Sequence, residues 1–344
     1  MDLTAPLHWK PDGERVVVID SHTGGEPFRV VVEGAPEMVG NDMTSRRGYA
    51  EANFDQFRKV LMWEPRGHAD MYGALLGPPV APGSDLSVLF MHNEGFSTMC
   101  GHGIIALAKV ALETGILPAT EPNTVLTIDT PAGTVVAIAE VRSGRVGRVR
   151  FRNVPSFVSE LDATVIVNGI GDVSYDLAFG GGFYAYIDAA SVGLTCTSDD
   201  LSALVESGKR IKAAVVSAGN ISHPIQDDLG FLYGVIFTGP PRDPTNHSTH
   251  VCVFAEGEVD RSPTGTGVSG RLAIEHARGM LGVGERIVVE SIIGSTFSGA
   301  VVETTEVGGV AAVIPEVGGE AHLLGRTEFW IDHMDKLGDG FLLR

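Results

Sequence analysis

The chain has 344 residues, more than one hydrophobic core ordinarily serves, so two domains are expected. A hydrophobic share of 44% beside 20% charged residues fits a globular protein with a sizeable core, and no apolar run reaches the length of a membrane span. The formal charge of -18 argues against nucleic acid, whose phosphates need clustered Lys and Arg, but leaves room for a small anion held by local positive charge.

Three cysteines, Cys100, Cys196 and Cys252, are too few for a disulfide framework and point to a reducing compartment, the cytoplasm. Residues 1–10 carry no basic stretch followed by an apolar one, so no secretory signal is expected. The 44 glycines promise tight turns and close backbone approaches.

In chain order, residues 15–20 and 28–33 are β-branched runs parted by Ser21-His-Thr-Gly-Gly-Glu-Pro27, which predicts two strands around a bend. Residues 41–62, rich in Glu, Arg, Ala and Phe, predict one helix. A loop over residues 64–73 leads to Ala74-Leu-Leu and then to a strand over residues 85–92. Met99-Cys-Gly-His-Gly103 opens a segment in which Ile104, Leu107, Ala108, Ala111 and Leu112 keep helical spacing. Ile105, Ala106 and Val110 fill the other face, so this helix is buried, and Gly115 and Pro118 stop it. Strand, turn and strand follow over residues 124–139, with further short strands to residue 152 and a crossing between halves at Pro155.

The second half opens with strands over residues 164–167 and 173–175. Gly180, Gly181 and Gly182 then feed a strand to residue 188, a wall that a ligand or a helix approaches closely. Residues 198–212 predict a helix with Ser198 or Asp199 as its N-cap. Strands over residues 232–237 and 250–254 lead into Asp260-Arg-Ser-Pro-Thr-Gly-Thr-Gly267, a helix over residues 268–277 stopped by Gly279, and strand, turn and strand over residues 285–303. Each half thus runs apolar strand, small side chain before Gly-X-Gly, helix, glycine stop, two strands, which indicates a duplicated domain. A last strand within residues 321–331 is expected to return to the first half. The division expected is residues 1–157 with 328–344, carrying Cys100, and residues 158–327, carrying Thr264.

Two buried helices that begin at Gly-X-Gly aim free N–H groups and positive dipole ends at whatever lies between them, a site for an anion as small as a carboxylate. Cys100 at such a helix start should favour its thiolate, below the free value of about 8.5. A thiolate beside a bound carboxylate can take a proton from the adjacent carbon. Cys196 and Cys252, without a neighbouring glycine or base, read as core cysteines. His92, Cys100 and His102 match no usual zinc spacing, so no metal is expected. Asp260 reads equally as a turn residue or as the partner of a cationic amine.

Met99-Cys-Gly-His-Gly103 and Asp260-Arg-Ser-Pro-Thr-Gly-Thr-Gly267 resemble the two signature motifs of the proline racemase family. Asp20-Ser-His-Thr-Gly-Gly-Glu-Pro27, Pro65-Arg-Gly-His-Ala-Asp-Met71 and Phe179-Gly-Gly-Gly-Phe-Tyr184 extend the likeness over nearly the whole chain. The resemblance implies an α/β (α+β) fold shared with diaminopimelate epimerase: two similar halves, each a mostly antiparallel sheet around a central helix, with the site in the cleft between them. It implies two cysteines flanking a substrate Cα in the racemases and 4-hydroxyproline epimerases, where this chain has Cys100 and Thr264. That pair is similar to the trans-3-hydroxy-L-proline dehydratase branch, in which one base suffices because the 3-hydroxyl leaves as water.

Carried over, the resemblance makes Cys100 the base. The backbone of Gly101, His102, Gly265 and Thr266 becomes the carboxylate clamp, Asp260 with the His102 side chain the amine site, and Thr264 a contact of the leaving hydroxyl or a water. His22, His223 and Thr264 are the candidates for the acid. It implies a small cyclic imino acid as substrate and no cofactor. A proline or 4-hydroxyproline epimerase with a single thiol is the alternative. The assembly is not legible, and a homodimer is kept as its candidate.

Overall fold

The protein is described here by a computed structural model of residues 11–219 and 221–343. The reading of residues 1–10 as free of a secretory signal lies outside the described residues. The chain opens with a hairpin of β1 (Glu14–Thr23) and β2 (Glu26–Glu33), turned at Gly24 and Gly25. Then come α1 (Met43–Asn53), α2 (Asp55–Met62), β3 (Tyr72–Gly77), β4 (Leu86–His92), β5 (Phe96–Ser97) and α3 (Gly101–Glu113). β6 (Asn123–Thr130), β7 (Gly133–Arg142) and β8 (Arg145–Arg152) complete the first set. The second set begins with β9 (Ser156–Val167), β10 (Gly171–Phe179), β11 (Phe183–Asp188), α4 (Leu201–Ala218), β12 (Leu232–Gly239) and β13 (Ser248–Phe254). It ends with β14 (Glu258–Asp260), α5 (Gly265–Ala277), β15 (Arg286–Ser291), β16 (Thr296–Val307) and β17 (Val310–Ile331).

The duplication holds pairing by pairing. β2 lies parallel to β3, β3 antiparallel to β4, β4 antiparallel to β5 and parallel to β6, and β6 antiparallel to β7. β11 lies parallel to β12, β12 antiparallel to β13, β13 antiparallel to β14 and parallel to β15, and β15 antiparallel to β16. A parallel pair cannot be joined by a tight turn, so each β2–β3 or β11–β12 crossover carries helices: α1 and α2 in one copy, α4 in the other. The expected α/β fold of two similar halves around central helices is the fold found.

The two central helices each start at the first glycine of their motif, three residues earlier than apolar spacing alone predicts. α3 is buried from Gly101 to Leu112 except at Lys109, whose ammonium pairs with Glu113 at 3.0 Å and donates to the Val146 carbonyl. Burying Ile104, Ile105, Leu107 and Val110 at ~1.5–3 kcal/mol each outweighs the ~1 kcal/mol that a helical glycine costs.

Four local expectations change. The helix expected over residues 41–62 is two helices, because Phe54 leaves the helical region (φ -118°, ψ 10°) and packs its ring on Tyr49 at 5.3 Å. β3 begins at Tyr72, inside the expected loop. Neither Ser198 nor Asp199 caps α4, which follows a short 3-10 turn; the Asp200 carboxylate beside them accepts from the Thr195 N–H at 2.7 Å instead. The tail strand is far longer than expected. β17 pairs with β16 and β8 along its first part and with β1 along its last, where Ile331 faces Glu14.

What approaches the wall at Gly180 is a helix. A Cβ there would strike the Thr266 carbonyl and lie 2.7 Å from the Gly270 nitrogen, both in α5.

Candidate active site

The start of α3 meets the start of α5. A Cβ built on Gly101 would lie 2.6 Å from the Gly265 Cα, and one on Gly265 2.7 Å from the Gly101 Cα, so only glycine allows this approach. The first N–H groups of an α-helix have no partner inside it, and here two such sets converge. A narrow, largely closed cavity opens at this junction. Cys100, Gly101, His102, Asp260, Thr264, Gly265 and Thr266, all expected in the site, line it. A wider, more open hollow beside Asp162, Tyr186, His247 and Arg271 contains none of them.

Cys100 and Thr264 are the residues that precede the two helices, and they behave differently. Cys100 has ordinary extended backbone (φ -142°, ψ 108°), and its sulfur accepts from the Gly103 N–H at 3.2 Å, capping its own helix. Thr264 sits at φ 65°, a costly conformation for a β-branched residue, and its hydroxyl caps nothing. A threonine at a helix start normally gains ~1 kcal/mol from its cap. Here Ser262 Oγ takes the Thr264 N–H at 3.1 Å, and Thr264 Oγ1 is left buried without a hydrogen-bond partner.

The expected lowering of the Cys100 thiol is not found. Burial pushes the thiol well up, the Gly103 N–H pulls it down, and the charges of Asp260 and Glu26 raise it further. A helix end cannot offset full desolvation with carboxylates nearby.

His102 comes from the first half and Asp260 from the second, and they face each other with Nδ1 and Oδ2 3.6 Å apart. Burial alone would raise the Asp260 carboxyl. The His102 charge, with hydrogen bonds from His102 and Ser262, reverses this and holds it below the usual range. The Cys100 sulfur lies 3.4 Å from each ring nitrogen of His102, and the Phe28 and Tyr72 rings meet that imidazole edge-on. Behind the pair, Glu26 is wholly buried and accepts from the Arg261 N–H at 2.7 Å. Burial, then the charge of Asp260, drives its carboxyl well above the usual range.

Sequence reasoning missed part of the lining: Tyr72, Tyr184, Tyr233, Cys252 and Phe254. The Tyr72 hydroxyl bonds Ser97 Oγ at 2.5 Å and the Tyr233 hydroxyl at 2.9 Å, and the Tyr184 hydroxyl bonds Thr266 Oγ1 at 2.7 Å. Cys252, read as a core cysteine, faces the cavity. His22 instead pairs with His322 at 5.1 Å, and His223 packs on Phe179 at 4.7 Å, so neither lines the cavity. Among the described residues no group of three or more His, Cys, Asp or Glu side chains is arranged to hold a metal, and no helix is long and apolar enough to cross a membrane.

A buried thiol, a carboxylate and the starts of two helices make a site chemically suited to proton transfer on a small anionic molecule. The sequence profile described as proline racemase matches residues 18–342, and the chain belongs to the proline racemase family. It is 45% identical over 341 residues to the trans-3-hydroxy-L-proline dehydratase of Colwellia psychrerythraea, covering 98% of this chain and 96% of that one. It is 44% identical over 326 residues to the 3-hydroxyproline 2-epimerase of Burkholderia multivorans (95% and 97% covered). It is 44% identical over 336 residues to the trans-L-3-hydroxyproline dehydratase of Xenopus tropicalis (97% of each). Among solved structures, a hydroxyproline epimerase from Agrobacterium vitis with bound trans-4-hydroxy-L-proline superposes with a TM-score of 0.91 at 32% identity, covering 98% of this chain and 97% of that one. A probable proline racemase from Agrobacterium radiobacter with bound carbonate also reaches 0.91, at 33% identity and coverage of 95% and 96%.

Proposed function

We propose that this chain is a hydro-lyase that dehydrates trans-3-hydroxy-L-proline to Δ1-pyrroline-2-carboxylate and water, without a cofactor. Relatives at 44% and 45% identity named as dehydratases support this, while one at 44% is named an epimerase. The observation that carries the choice is the unpartnered Thr264 hydroxyl opposite Cys100. Epimerisation across two faces needs a second group that both gives and takes a proton at Cα, and a threonine hydroxyl is a poor donor with no accessible anion near neutral pH. Dehydration needs one base, because no second proton has to reach Cα.

In this reading the substrate carboxylate sits against the N–H groups of Gly101, His102, Gly265 and Thr266, and Asp260 with the His102 side chain holds the ring amine. The cationic amine brings positive charge beside Cys100 and favours the thiolate that burial opposes. The thiolate removes the Cα proton, and the helix-end donors stabilise the charge that spreads into the carboxylate. The freed electron pair forms the Cα–Cβ double bond. The C3–O bond breaks with its pair on oxygen, which takes up the proton that Cys100 removed from Cα and leaves as water, restoring the thiolate; Thr264 contacts the leaving oxygen or a water. The enamine then tautomerises to the pyrroline.

The division into residues 1–157 with 328–344 and 158–327 accompanies this reading, with one helix start supplied by each part. The cytoplasm suits three free cysteines. A homodimer is the assembly that light scattering would test.

Purified protein incubated with trans-3-hydroxy-L-proline and a pyrroline reductase should yield reduced product; folded protein that yields none refutes the reading. Cys100→Ser should lose roughly 10²–10⁴-fold in turnover and stay folded. The Burkholderia multivorans relative favours a second reading, an epimerase working with one thiol. Chiral chromatography on trans-3-hydroxy-L-proline, with L-proline and 4-hydroxyproline alongside, separates it from the first.

A further inference from the structure

The duplicated helix starts differ in what lies over them. In the first half the Cys100 sulfur turns back over α3, where it accepts from the Gly103 N–H, and a Cβ built on Gly103 would lie 2.8 Å from it. In the second half the corresponding place over α5 is held by the Thr264 methyl: a Cβ built on Gly267 would lie 3.2 Å from Thr264 Cγ2. The hydroxyl, which would ordinarily cap the helix, is turned away from it. It is buried without a partner, on a residue 5% exposed that lines the cavity.

A second difference stands two residues earlier, at Thr98 before Cys100 and at Ser262 before Thr264. Thr98 Oγ1 donates away from its own segment, to the Gly181 carbonyl at 2.8 Å. Ser262 Oγ instead accepts the Thr264 N–H at 3.1 Å, while the Ser262 N–H donates to Asp260 Oδ1 at 2.7 Å. Ser262 is fully buried, where an N–H left unpaired is costly. The bond to Ser262 Oγ thus rewards the backbone at Thr264 for holding φ 65°, which a β-branched residue does not adopt unaided. With the extended backbone of Cys100, Thr264 would be free to cap Gly267 as Cys100 caps Gly103.

We propose that Ser262 is a positioning residue: its hydroxyl holds Thr264 in the positive-φ backbone that lays the methyl on the helix and leaves the Thr264 hydroxyl to the cavity, while its N–H fixes the Asp260 carboxylate. That the freed hydroxyl serves the leaving oxygen or a water rests on the dehydratase reading; that Ser262 withholds it from the helix does not. One serine thereby sets two contacts of the site, the amine holder before it and the hydroxyl after it.

The test measures thermal midpoint, kcat and KM for Ser262→Ala, Ser262→Thr, Thr264→Val and the pair Ser262→Ala with Thr264→Val. In the wild-type background Thr264→Val should leave the midpoint unchanged or raise it, because the hydroxyl it removes caps nothing. In the Ser262→Ala background, where Thr264 can return to the helix as its cap, the same change should lower the midpoint by roughly 2 °C. Ser262→Ala alone should lower kcat roughly tenfold with KM within about threefold, since Asp260 keeps its backbone N–H. Ser262→Thr keeps the hydroxyl, in the residue type that the first half has at this place, and should hold kcat within about threefold of wild type. With Thr264→Val present, Ser262→Ala should lower kcat no further. A lowered midpoint for Thr264→Val in the wild-type background overturns the proposal, and that measurement needs no folded Ser262 variant. An equal midpoint change in both backgrounds, wild-type kcat in Ser262→Ala, or a threonine variant as slow as the alanine one overturns it as well. Wild-type protein that forms no pyrroline product refutes the dehydratase reading itself, and the midpoints then still decide what Ser262 does to Thr264.

Discussion

Replacing Gly265 by alanine tests whether contact between the two helix starts sets the site. The new Cβ would lie 2.7 Å from the Gly101 Cα and 3.1 Å from its carbonyl carbon, where ordinary contacts begin at 3.4 Å. The obstacle is backbone, so no rotamer change relieves it, and the helix starts must part by about 0.7 Å. That moves the Gly265 and Thr266 donors away from those of Gly101 and His102. A misplacement of ~1 Å can cost about 10²-fold, so kcat/KM should fall roughly 10- to 100-fold. Stability should change less. Overpacking costs ~1–3 kcal/mol, against which alanine regains up to ~1 kcal/mol of helix propensity. Gly101→Ala should behave alike, its Cβ lying 2.6 Å from the Gly265 Cα. The double variant should lose less than the product of the singles, since one separation accommodates both. The measurements are coupled-assay kinetics and thermal unfolding. A Gly265→Ala enzyme within twofold of wild type at unchanged midpoint would refute a clamp built from touching helix ends.

Thr264→Cys places a thiol opposite Cys100 and removes the β-branch from a position at φ 65°. It should stay folded and gain measurable epimerisation of 4-hydroxyproline by chiral chromatography; a folded variant with none counts against a two-faced site. Because burial pushes the Cys100 thiol up, kcat/KM should climb with pH through and beyond the usual thiol range of about 8.5, and a profile flat across that range contradicts a thiolate base. Asp260, held below the usual carboxylate range by His102 against its burial, should add no acidic limb within that range. Glu26 has the opposite sign. Its folded carboxyl is raised, so stability is full below the unfolded value of about 4.3 and declines as pH rises toward the folded one. Glu26→Gln should therefore gain thermal stability relative to wild type at neutral pH, with the gain shrinking toward pH ~4; a constant offset across that range would remove the assigned cause.

Much of the cavity lining was hidden for one reason. Cys252 and Phe254 lie in the apolar end of β13 and Tyr233 in the mostly apolar β12, strands whose two faces are both covered. With no polar alternation to read, nothing marks which side chain turns toward the cavity and which toward a helix. Glu26 and Tyr184 lay inside stretches that carried the family likeness, but only the fold reveals that one is a carboxyl raised by burial behind Asp260 and the other a partner of Thr266.

The sequence by itself determined the duplication, the two helix starts and the exchange of a thiol for a hydroxyl between them. These are local matters: glycine spacing sets where a helix begins, and apolar spacing sets that it is buried. Tertiary structure alone decided the surroundings of Cys100 and Thr264. Helix position argues for a lowered thiol, but desolvation between two packed halves outweighs it. Composition likewise argues for a capping threonine, but the backbone at Thr264 turns its hydroxyl from the helix and leaves it without a partner in the buried site. Electrostatics and hydroxyl direction depend on everything within a few ångströms, most of it distant in sequence, and that is why they became readable only when the halves were brought together.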